Sequence, residues 1–216
     1  MVPGQPPREA LAGTGGVDAD ALDADWFHRL DPQVRLRPGA AAPDGLRVPA
    51  PQAQRLLRGT IHLVADVPKG SSPRLVWVQG ADELLVHLDR VELACDEGLV
   101  TVGVQVGCDQ LPDDGRVTVP LAVGTAQLPT GLVMSTLSRP AGPAVVVDAW
   151  SEPIVAFAWE ALVHLARTLC AAAGSDAGGR PLVPASIAAE PRVLLVQPAA
   201  RHSFALRSAD ADRLDG

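Results

Sequence analysis

Apolar residues follow two rhythms along this chain. Between residues 58 and 137 they tend to fall at every second position, whereas from 154 to 173 they fill most of a helical circumference. Alternation marks a strand with one buried face, and a dense run broken by one polar stripe marks a covered helix.

Ile61, Leu63, Ala65 and Val67 alternate with His62, Val64 and Asp66, which predicts a strand closed by turn residues at 68–73. Leu75, Val76, Trp77 and Val78 form the next. Leu84, Val86 and Leu88 occupy even positions, but Val91, Leu93 and Cys95 occupy odd ones. A continuous strand therefore needs a bulge near Asp89 and Arg90 to keep one apolar face. After Asp96-Glu97-Gly98 the valines at 100, 102, 104 and 106 return to even positions. One shared face then requires a loop of even length, either two residues or four. The longer loop opposes Cys95 to Val100, Leu93 to Val102 and Val91 to Val104. In that register Cys95 and Cys108 lie on the order of 25 Å apart at strand rise, too far for a disulfide.

Val117, Val119, Leu121 and Val123 make a further strand, and Pro120 within it argues for a sheet edge, or for a strand that donates only on its other side, because proline donates no ladder bond. Residues 131–137, 144–149 and 192–197 read as strands as well, the second without alternation and so buried on both faces. Ser151 then suits an N-cap, Pro153 a first helical turn, and Gly174 a stop after about Ala173. Upstream, Leu22, Trp26 and Leu30 share one face of a short helix that opens on Asp18, Asp20, Asp23 and Asp25 and ends before Pro32. The expected fold is α+β: an antiparallel sheet of roughly six to eight strands packed on one long C-terminal helix, with a short N-terminal helix. Residues 1–54 read as an arm carrying that helix and a Pro/Ala-rich linker, 55–204 as the core domain and 205–216 as a flexible tail.

Composition adds limits to this picture. Hydrophobic residues at 47% suffice for a core, and the net charge of −7 disfavours a phosphate backbone as partner, so no nucleic acid is expected. One lysine, Lys69, stands among the 18 basic residues, and tyrosine is absent; this bias fits a GC-rich bacterial genome. The start shows no basic segment leading into an apolar one, and the apolar run at 154–163 is shorter than the ~20 residues that span a bilayer. A cytoplasmic protein without a membrane span is expected. The three cysteines are too few and too scattered for a disulfide framework or a metal knuckle, which leaves reduced thiols.

Candidate chemistry is sparse. The acidic run from Asp18 lacks the glycine and glutamate of a calcium loop, having Asp23 and Arg29 at those places. Lys69-Gly70-Ser71 lacks the residue order and the following helix of a phosphate loop. His87 opposes Cys108 in the longer-loop register, with Asp89 nearby, which would set a base beside a thiol. Glu160, His164 and Arg167 form one stripe on the long helix, and Trp150 and Trp159 bracket its start. If a small-molecule pocket lies between sheet and helix, those five residues are its candidates, since a carboxylate beside an imidazole suits general-base work. No nucleophile elbow, dinucleotide loop or C-x-x-C pair occurs. The absence of such motifs and the apolar helix together favour a non-enzymatic protein–protein interaction or assembly module, possibly a homodimer, with no cofactor and no metal.

Overall fold

The computed structural model describes residues 45–68 and 73–200. The fold is α+β, with seven strands divided between two antiparallel sheets around one long helix. Strands β2 (Arg74–Gln79), β3 (Asp82–Asp96), β4 (Leu99–Gly107) and β5 (Gly115–Ala122) follow one another in a four-stranded meander. Strand β1 (Leu46–Pro49) lies outside β7 (Val193–Ala200), which pairs with β6 (Leu182–Glu190), giving a three-stranded sheet.

The central hairpin takes the four-residue-loop register. Cys95 faces Val100, Leu93 faces Val102, and the register shifts between His87 and Glu92, where the change of parity requires a bulge. The predicted pairing of Val91 with Val104 is absent because Val91 lies inside that irregularity. Leu84, Val86, Leu88, Val91 and Leu93 nevertheless all end up buried. The bulge is what keeps both halves of β3 facing the core.

Helix α1 (Ala50–Val64) replaces two expectations at once, the linker through residue 54 and the strand from 61 to 67. Ala50, Ala53, Leu56, Leu57, Thr60 and Ile61 are buried, the spacing of one helical face, and Pro51 occupies the first turn. The alternation at Ile61 and Leu63 was the tail of this longer period. Past the helix Asp66 takes φ 51°, and Val67 N–H donates to His62 O at 2.9 Å. A left-handed residue followed by that long return bond ends a helix, here with aspartate instead of glycine.

Helix α2 (Ala144–Ala173) starts seven residues before the predicted N-cap at Ser151 and absorbs the predicted strand at 144–149. Val146, Val147 and Trp150 are buried and continue the face of Ile154, Phe157 and Ala158, so the apolar run was helical. Pro153 therefore sits inside the helix, where its missing N–H leaves one carbonyl of the preceding turn without a donor. Gly174 ends α2 as expected. By length and composition α2 is apolar enough to cross a membrane, and 67% of its most apolar window is buried within the protein. Its apolar surface is taken up by α1 and by both sheets. Ile154, Leu162 and Leu165 have no exposure at all.

Residues 131–137 are not a strand. They run irregularly beside β5, touching it through an isolated bridge between Leu121 and Thr136. Strand β6 was not anticipated, because small residues and Pro184 in LVPASIAAE hide its period. Backbone bonds stitch the two sheets together: Gly98 N–H to Ala189 O at 3.0 Å, Ala189 N–H to Gly124 O at 2.9 Å, and Arg192 N–H to Cys95 O at 2.9 Å. Among the described residues the core begins at Leu46 and Val48, both buried. The helix predicted over 18–31, its acidic start and the Lys69-Gly70-Ser71 turn lie outside the described residues.

Candidate functional site

The five residues named for a pocket occupy different surroundings along α2. Trp150 is buried beside Trp77 of β2, with ring centroids 6.5 Å apart, and Trp77 meets Phe157 edge-on at 5.5 Å. Trp159 is half-buried against the core. Glu160 and Arg167 are exposed and His164 is half-buried between them. At helical rise Trp150 and His164 stand about 20 Å apart, so the aromatic cluster and the polar stripe are separate places.

His164 has the most unusual environment of the stripe. Its Nε2 is buried and has no hydrogen-bond partner among the described residues. Burial first, then the positive Arg167 and the neighbouring His62 of α1, hold its pKa below the ordinary imidazole value. The ring is therefore kept neutral at the contact between α1 and α2.

His87 does not pair with Cys108. The register shift puts His87 opposite Gln105, and the imidazole instead lies 3.0 Å from Asp114 Oδ2. Asp114 sits off the line of a ring N–H, so Nε2 makes no well-formed hydrogen bond. Arg90 reaches the same carboxylate at 3.5 Å, which makes the group a structural tie between the bulge and the loop before β5. All three cysteines are free thiols. Burial pushes the Cys95 and Cys170 thiols up to about 12, so neither is a nucleophile at neutral pH. No group of three or more metal-ligating side chains occurs among the described residues.

The surface offers two apolar features that the sequence pattern did not single out. Leu128, Val133, Met134 and Leu137 are each more than half exposed on the segment after β5. That segment covers the outer edge of β5 with its backbone. Ala122 N–H donates to Ser135 O, Leu137 N–H donates to Pro120 O, and Thr118 and Ala141 exchange both bonds. Thr118 and Ala122 thus bond outward, and Pro120 lies in the same phase, so its missing donor faces the cover and not β4.

The second feature is β2, the other outer strand of the same sheet. Pro73 O accepts from Leu88 N–H at 2.8 Å, which sets the phase of the ladder. Leu75, Trp77 and Gln79 then bond to β3, while the N–H and C=O groups of Arg74, Val76 and Val78 point away from the sheet. No strand pairs with them among the described residues. Val76 and Val78 are 52% and 48% exposed, whereas Trp77 between them is 7% exposed. The missed signal was that LVWV carries no polar face, although only one face of an outer strand packs inward. Compared with known proteins, the chain matches no family model, no curated protein and no solved structure.

Proposed function

We propose that this protein is a non-enzymatic, cytoplasmic protein–protein interaction module that associates with itself. One observation carries the reading: large apolar side chains stand exposed on both flanks of the four-stranded sheet, Val76 and Val78 on one and Leu128, Val133, Met134 and Leu137 on the other. Exposed apolar surface of this kind is costly in water and serves association. The chemistry of the described residues supports it, since burial pushes the Cys95 and Cys170 thiols up to about 12, far above neutral pH.

The experiment is a mass measurement by light scattering over a wide concentration range. A mass above that of one chain, rising with concentration, supports the reading. A single-chain mass at every concentration removes it.

A further inference from the structure

We infer that two copies join through β2, edge to edge and antiparallel about a two-fold axis at Val76, to make one eight-stranded sheet across the dimer. This inference rests on the self-association proposed above and names its surface. Three observations converge on it.

The first is the hydrogen-bonding phase. The groups of Arg74, Val76 and Val78 point outward in the pattern that an added antiparallel strand requires, and Val76 lies at the middle of the three. A two-fold axis there makes Val76 exchange both backbone bonds with the partner's Val76. Arg74 then exchanges bonds with the partner's Val78, and the reverse follows by symmetry.

The second is the outer face. Cross-strand partners share a face, so Leu85 stands beside Val76, and Glu83 beside Val78. In the dimer the middle row reads Leu85, Val76, Val76, Leu85 across four strands. Edge strands that avoid pairing usually carry lysine, proline or a bulge at such places. Here the outward positions hold two valines, each about half exposed, and the register with β3 is unbroken from Arg74 to Gln79.

The third is charge. Arg74 and Glu83 are both exposed and neither makes an ion pair within the chain among the described residues. The Val76 axis sets Arg74 of one copy beside Val78 of the other, with Glu83 one strand further on. Two strand spacings, about 10 Å between Cα atoms, are within reach of an arginine and a glutamate side chain. Each end of the interface thus brings a cation to an anion, a complementarity that a foreign strand would have to reproduce. The chain's net charge of −7 opposes association at long range, so these two contacts also set the register.

The other edge of this sheet offers no such template, because its outward groups already bond to residues 135–141. The test is sedimentation velocity on the full chain and its variants. Val76→Lys with Val78→Lys should raise the dissociation constant about a hundred-fold or more. Val76→Pro should do the same while leaving the far-ultraviolet spectrum and thermal midpoint close to wild type, since the N–H it removes points away from β3. Arg74→Glu should weaken the dimer, and adding Glu83→Arg to it should restore it, an outcome a merely structural role would not produce.

Association that is indifferent to the β2 variants but lost with Leu128→Ser and Val133→Ser overturns the inference and keeps the self-association reading. Association lost only with Leu22→Ser and Trp26→Ser also overturns it, and assigns the contact to the N-terminal arm. A wild-type chain that stays single overturns both.

Discussion

The two outer strands of the four-stranded sheet solve the same problem in opposite ways. Strand β5 ends in backbone bonds to the irregular segment that follows it, and its proline sits where a donor would have met that segment. Strand β2 ends in bonding groups that no described strand pairs with, and in two exposed valines. Both carry apolar residues, so hydrophobicity does not separate them. What separates them is whether the chain spends backbone on closing the edge. The lesson is that an edge is defined by the phase of its amides, which composition does not reveal.

The strongest way to break the comparison is to loosen β2 from the core. Trp77 is the one buried residue of that strand and packs on Trp150 and Phe157. Trp77→Ala should cost about 3–5 kcal/mol in urea unfolding, and should abolish dimerisation along with the order of the strand. A loss below about 1 kcal/mol would mean that β2 is held by its ladder alone.

The covered edge responds to a smaller change. A Cβ on Gly142 would come within 2.9 Å of Arg116 O and 3.2 Å of Val117 Cα, so only glycine lets the cover approach β5 this closely. Gly142→Ala should cost about 1–3 kcal/mol and should create new association that Val76→Lys does not suppress. Unchanged association would show that the remaining bonds to β5 are enough to keep that edge closed.

A pH series sharpens the comparison by acting on neither edge. The folded pKa of His164 is lowered, so the unfolded chain binds the proton first as pH falls through the ordinary imidazole range near 6.5. Stability is full above that range and declines on the acid side, until the folded protein also takes up the proton. His164→Gln should flatten this decline between pH 7.5 and pH 5, read as urea midpoints, while the dimer constant at pH 7.5 stays unchanged. The smallest effect is chemical: a disulfide reagent at pH 8 should label half-buried Cys108 first, with Cys95 and Cys170 reacting only on unfolding.

The legible parts of the fold were those with a long, clean period. Parity located the bulge in β3 and the pairing of Cys95 with Val100, and Pro120 marked an outer strand correctly. The misreadings have a common cause. Residues 61–67 and 144–149 span only seven and six positions, too few to separate period two, period 3.6 and no period. Only the flanking residues, Ala50 to Thr60 and Ile154 to Phe157, place them on helices. The candidate surface was less legible still. Val76 and Val78 read as ordinary strand residues, because exposure depends on how many neighbours a strand has. The tie between His87 and Asp114 depends on a register shift that parity announced but did not size.

The pairing of β1 with β7 has a consequence in time. Leu46 lies against Val196, about 150 positions later in the chain. Contacts this remote cannot form until nearly all of the described polypeptide has left the ribosome, and closing so large a loop slows folding. Meanwhile the apolar faces of β1 and α1, with Leu46, Val48, Leu57 and Ile61, emerge before β6 and β7 and wait without those partners. Nascent chains of this protein therefore pass through a long interval in which β1 and α1 expose the apolar faces that a chaperone would hold.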